Sequence, residues 1–376
     1  MKKLIIMCLA CVAVLSSCEE DYNNIVVTDN RYAIDWNAAA DSSSTGLISN
    51  FWNSTSNYFN YTATGTEFHY WPQAHGLDVL LDAYERTKDE SYKSYFDKWF
   101  TGVKAKNGNT FLNFFYDDMQ WNALSMLRAY NATDDEKYKT ATIVLWEDIK
   151  TGWNDKGGGG IAWNKGELNS KNACSNGPAC ILAARLYQQF NDAADLEWAT
   201  KIYNWEKEVL FNPSNGAIYD NLNASTGVIS NYISTYNQGT FIGSAVELYK
   251  ITGEKTYLND AIKAANYTIN KLTANRILNA EGSGDLALFK GIFVRYFTQL
   301  IQTPGLDAAT KKRFVLFLKY NANELWYTGT NKQYVVFKSD WKSAPYFLSE
   351  TELNAQLSGS MLIEAAASLK KSGDMD

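Results

Sequence analysis

The chain has 376 residues, 35 basic and 41 acidic, and a net charge of −6 at pH 7; that balance argues against a nucleic-acid partner. At 46% hydrophobic and 20% charged, the composition supplies a large core and excludes a disordered chain. Its two histidines, His69 and His75, argue against a zinc site or a His-based triad, whereas 24 Tyr and 12 Trp offer flat apolar faces with polar tips, suited to sugar rings.

The first element is Lys2-Lys3 followed by an apolar run from Leu4 to Leu15, too short to stay in a bilayer as a spanning helix and typical of an export signal. It ends in Leu15-Ser16-Ser17-Cys18, which resembles the lipobox of bacterial lipoproteins. The resemblance implies cleavage before Cys18, a lipid on its thiol and attachment to the outer membrane; the alternative is an ordinary secretory signal with an incidental cysteine. Glu19-Glu20-Asp21 resembles an acidic surface-export tag. Residues 1–17 are thus expected to be a signal peptide, 18–30 a lipidated tether and 31–376 a single domain. Of five cysteines, Cys8 and Cys11 leave with the signal, and Cys174 and Cys180 read as small buried residues rather than a disulfide.

From residue 31 onward helical segments alternate in character. Trp71 to Tyr84 opens the series. The run after Asp117-Asp118, Asn122 to Tyr130, is apolar on every side, as a core helix is. Asp134 to Lys150 is amphipathic, with one stripe at Tyr138, Ala141, Leu145 and Ile149 and an expected capping box of Thr133 and Glu136. Pro178 to Tyr187 is apolar again, and Trp198, Ile202, Trp205 and Val209 make the next stripe. Gln238 to Tyr249, Asp285 to Phe297 and Leu353 to Leu369 continue the apolar set. About twelve helices in six pairs result, joined alternately by short turns and long loops, so all the long loops share one face with the apolar helices' N-termini. The expectation is an all-α chain, an (α/α)6 toroid with short hairpins in its long loops.

Those N-termini carry the candidate site. Asp117 and Asp118 begin one, and two adjacent carboxylates resist ionising together, which pushes one pKa up, as a paired acid and nucleophile requires. The simpler role is capping, which one Asp would satisfy. Tyr70, Trp71, Gln73 and His75 open another helix, and Trp121 follows the acid pair. Asn172 and Asn176, Tyr236 and Gln238, and Glu281 and Asp285 open the rest. Amides, acids and aromatics around one mouth suit hydroxyl bonding and ring stacking. Lys290 and Arg295 lie in an apolar helix and need partners, for which Glu281 and Asp285 are the nearest acids. Gly157 to Gly160 lacks a following Lys-Ser or Lys-Thr, so no phosphate loop is present. No cofactor or metal is expected.

Over nearly the whole mature chain the sequence resembles glycoside hydrolase family 76, the α-1,6-mannanases. The likeness runs through YWPQAHGLD at 70–78, YDDMQWNALSMLRAY at 116–130, GGIAWNKGELNSKNACSNGPACILAARLY at 159–187, TYNQGTFIGSAVELY at 235–249 and EGSGDLALFKGIFVRY at 281–296. It implies an (α/α)6 fold and cleavage of α-1,6-mannan with retention, Asp117 as nucleophile and Asp118 as general acid/base. The expected partners are α-mannan and, through the lipid, a membrane, with the chain a monomer. A mannan transglycosylase and a non-catalytic surface glycan-binding lipoprotein are the other readings.

Overall fold

A computed structural model describes residues 33–375. The export segment, Cys18 and the whole tether lie outside the described residues. Among the described residues, twelve α-helices alternate between two layers. The inner layer is α2 (Tyr70–Thr87), α4 (Tyr116–Thr133), α6 (Ala173–Phe190), α8 (Thr235–Thr252), α10 (Phe289–Gln302) and α12 (Leu353–Lys371). The outer layer is α1 (Trp36–Phe51), α3 (Glu90–Lys106), α5 (Glu136–Lys150), α7 (Ala193–Val209), α9 (Lys255–Lys271) and α11 (Ala308–Tyr327). Each inner helix packs on the next and α12 returns to α2, which closes the (α/α)6 ring expected from the helix pattern. Inner helices are buried on nearly every face, as α12 is from Leu353 to Ala367. Outer helices bury one stripe, such as Leu258, Ala261, Ala265 and Ile269 of α9.

The short turns have a common build. Helices α2, α4, α6 and α8 end at a left-handed residue, Lys88 (φ 59°), Asp134 (φ 56°), Asn191 (φ 58°) and Gly253 (φ 72°), a regular way to stop a helix. The next residue is an acid. Asp89, Asp135 and Asp192 each accept the backbone N–H two residues on, from Ser91, Lys137 and Ala194, so stop and start share two positions. This replaces the expected capping box. Thr133 still belongs to α4, where its hydroxyl donates to the Ala129 carbonyl, and Asp135 is the cap.

The long loops form short antiparallel hairpins: β1 (Trp52–Asn53) with β2 (Tyr58–Phe59), β6 (Thr273–Ala274) with β7 (Ile277–Leu278), and β8 (Thr330–Asn331) with β9 (Val336–Phe337). A three-stranded sheet joins β3 (Ser170–Asn172), β4 (Asn221–Asn223) and β5 (Val228–Ile229). Four of these loops are clamped by the fourth residue of the inner helix that follows. Gln73 accepts from Phe59 N (2.9 Å) and donates to Phe59 O (2.8 Å). Asn176 does the same to Ile161 N and O, at 2.8 and 3.0 Å. Gln238 bonds Ile218 N and Gly216 O, and Gln356 bonds Phe337 N and Val335 O. Gln73, Asn176 and Gln238 are wholly buried and turn toward the loops, which corrects their expected place against substrate. A side-chain amide meets both backbone groups of a loop as a strand would, so these amides are framework.

Candidate active site

In four inner helices the second residue turns the other way, toward the acid pair. Trp71, Asp117, Cys174 and Tyr236 hold that position in α2, α4, α6 and α8. Asp117 and Asp118 lie in the first turn of α4, partly open to solvent and walled by protein on most sides. Asp117 Oδ1 accepts the Asp118 backbone N–H at 3.1 Å, and its Oδ2 accepts the Cys174 thiol at 3.4 Å. Trp163, from the loop before β3, is a further side-chain partner. Burial raises the Asp117 pKa to about 6 against these donors. Asp118 has no such donors. Burial, then the charge of Asp117, then that of Asp285 push its pKa well above the carboxylate range. Asp117 is therefore the first of the coupled pair to ionise, and Asp118 holds its proton to higher pH.

Asp285, in a short 3-10 segment ahead of α10, accepts the Trp71 indole N–H at 2.8 Å. It does not pair with the cations of α10, which corrects the expected structural pairing. Arg295 instead reaches Asp82 at 2.7 Å. Lys290 is buried, donates to the Ser339 carbonyl and lies 4.1 Å above the Trp341 ring. Burial lowers its pKa to about 7 against the charge of Glu281. Glu281 receives the Thr235 N–H at 2.8 Å and the Thr235 hydroxyl, so it caps α8.

Tyr70 lies close enough to Asp118 to feel its charge and donates to the Phe111 carbonyl at 2.6 Å. Tyr236 stacks on Phe289 at 3.8 Å. Asn172 accepts from the Ser170 hydroxyl at 2.7 Å. His75 and Trp121 do not reach the mouth. His75 is buried, its Nδ1 is 3.7 Å from Asp78 Oδ2, beyond hydrogen-bond reach, and burial keeps its ring neutral by lowering its pKa. It is a spacer between the Trp71 ring (5.5 Å) and the buried Trp121 ring (5.0 Å).

Sequence reasoning missed Cys174, Trp163 and Asp220. Asp220 precedes β4, accepts from Asn237 at 3.0 Å and faces Cys174 and Tyr236. The available signal was position: Cys174 stands second in its helix, as Asp117 does. Among the described residues no cluster of three or more His, Cys, Asp or Glu is arranged to hold a metal ion.

A closed ring of helix pairs with an acid pair of split protonation at one mouth defines a class of protein built for acid–nucleophile or acid–base work on a polar substrate. The family model of Glycosyl hydrolase family 76 matches residues 35–373, and the chain belongs to that family. It is 43% identical to the GH76A alpha-1,6-mannanase of Salegentibacter sp. HEL1_6, with a TM-score of 0.86 over 89% of this chain and all of that one. An inactive variant of that enzyme, with two consecutive aspartates replaced, was solved with alpha-1,6-mannotetrose; it matches at 42% identity and a TM-score of 0.87, over 89% of this chain and 100% of that one. A mannan endo-1,6-alpha-mannosidase of Candida glabrata is 25% identical over 285 residues, 68% of this chain, and the match spans 62% of that relative's length.

Proposed function

We propose that the protein is a retaining glycoside hydrolase that cleaves α-1,6-mannosidic bonds within mannan chains. The observation that carries the reading is the unequal setting of two neighbouring carboxyls: Asp117 has hydrogen-bond donors that favour its anion, and Asp118 has burial and its neighbour's charge that favour its acid form. Asp118 protonates the glycosidic oxygen as the bond breaks, and Asp117 attacks the anomeric carbon to give a glycosyl-enzyme. Asp118, now a carboxylate, takes a proton from water as the water oxygen bonds to the anomeric carbon and the bond to Asp117 breaks, which releases the sugar and restores both groups. The inactive relative altered at two consecutive aspartates and bound to a mannotetraose supports the same pair and the same substrate class, and the fungal relative's name supports internal cleavage.

The test is turnover of unbranched α-1,6-mannan oligosaccharides by Asp117→Asn and Asp118→Asn, with the anomer of the first product recorded. Each variant is expected to lose at least about a hundredfold in rate, and the wild type to release product of unchanged configuration. Near-full activity in both variants overturns the assignment, and an inverted product overturns the covalent step. By the same reading a lipid on Cys18 holds the ring at a membrane surface, with residues 19–30 as its leash. Loss of incorporated lipid in Cys18→Ala checks that placement.

A further inference from the structure

We propose that Cys174 is a positioning residue for this reaction, its thiol hydrogen fixing the rotation of the Asp117 carboxylate while leaving that group basic enough to attack. The proposal rests on the reading of Asp117 as nucleophile. Each oxygen of Asp117 has a donor, the Asp118 amide on Oδ1 and the Cys174 thiol on Oδ2, with Trp163 a third partner of the carboxylate. Behind the sulfur, the Tyr236 hydroxyl lies close enough for it and Cys174 to shift each other's titration, and the Tyr236 ring is held by its stack on Phe289. One proton order satisfies the chain when Asp117 is ionised. The carboxylate has no proton to give, so the thiol donates to it, with the Tyr236 hydroxyl packed on the far side of the sulfur.

The choice of sulfur has a chemical consequence. A thiol is a weaker donor than a hydroxyl, so it orients the anion with less stabilisation than a serine would give. A hydroxyl in its place would donate more strongly to the charged form and favour it, giving a better-ordered but less basic nucleophile. The thiol itself stays protonated: it is buried, and burial with the charges of Asp117 and Asp220 pushes its pKa up. The groups facing the Asp117–Cys174 contact are few. Asp118 comes from the same helix, Tyr236 from α8 and Asp220 from the loop before β4. Asp285 and Tyr70 approach from the side of Asp118.

The test is the pH dependence of kcat/KM on α-1,6-mannan oligosaccharides for Cys174→Ala, Cys174→Ser and Tyr236→Phe, with thermal unfolding measured alongside. Loss of the donor in Cys174→Ala is expected to move the acid limb up by about half to one pH unit, and the stronger donor in Cys174→Ser to move it down by about as much. Tyr236→Phe frees the thiol to turn and follows Cys174→Ala with smaller amplitude. A merely structural cysteine would alter unfolding alone. Acid limbs coincident with wild type in Cys174→Ser and Tyr236→Phe, whatever the unfolding temperatures, overturn the proposal. Should the limbs stay put while Asp117→Asn is inactive, only the positioning role falls. Should Asp117→Asn remain active, the function falls first and this role with it.

Discussion

At the residue scale the chemistry depends on two neighbours that titrate apart. Asp117 has a raised folded pKa of about 6, so the nucleophile is lost as pH falls through 6 and kcat/KM drops on that side. Asp118 must hold its proton, so activity falls again as pH rises through its pKa, which lies well above the carboxylate range. Part of that elevation is the charge of Asp285. Asp285→Asn removes the charge and stabilises ionised Asp118, so the alkaline limb moves to lower pH while the acid limb stays within a few tenths of a unit. A pH–rate profile of the variant checks this, and an unmoved alkaline limb would show that Asp285 acts on binding alone. The acid pair was legible because adjacency is a property of the sequence itself. The direction of a side chain around a helix is not. Residues two apart on a helix turn about 200°, so Trp71 faces the mouth while Gln73 faces a hairpin, and both read as polar or aromatic groups at a helix start.

At the scale of elements, the amide clamps are what turn long loops into walls of the site. Asn176 holds Ile161, two residues before Trp163, whose side chain meets Asp117. Asn176→Leu leaves a buried N–H and C=O of Ile161 without partners. At about 1–3 kcal/mol for each group, it should cost about 2–6 kcal/mol in urea unfolding. It should also lower kcat more than it raises KM, because the loop it frees carries a partner of the reacting carboxylate. A loss of stability with kcat intact would separate the clamp from the chemistry. The helices themselves were legible from the alternation of all-round and one-sided apolar patterns. The clamps were not, although an amide at the fourth position recurs in α2, α6, α8 and α12, because recurrence does not say what the amide bonds. Cap assignment failed for a similar reason: Thr133 and Asp135 are both good caps, and the left-handed turn at Asp134 selects the second.

At the scale of the whole molecule the ring has two ends, and ion pairs close the one away from the acid pair. Around a cavity of about 500 Å³, Asp78 accepts from Arg128 at 2.6 Å, and Asp82 accepts from both Arg128 and Arg295 at 2.7 Å. Glu364 takes Arg86 and Glu247 takes Arg185, both at 2.9 Å. Asp82 and Arg295 are 213 residues apart in sequence; only closure of the ring across its axis brings them together, so chain proximity pointed to the wrong acids. Asp78 is the most enclosed member of the Arg128–Arg295 network, with a side chain 8% exposed. Despite burial, Arg295 and Arg128 hold its carboxyl well below the usual range. Its folded pKa is depressed, so its contribution to stability is complete above the unfolded value near 4 and is lost as pH falls through the folded value. Asp78→Asn leaves two buried guanidiniums short of a counter-charge and should cost about 3–5 kcal/mol at pH 7. The gap to wild type should narrow below about pH 4, where the unfolded wild-type chain binds a proton at Asp78 that the folded protein still excludes. Urea unfolding of both proteins at pH 7 and pH 3 measures it. Equal stability at pH 7 would mean that the arginines find water in the cavity, and the far end would then be a solvated vestibule rather than the keystone of the ring.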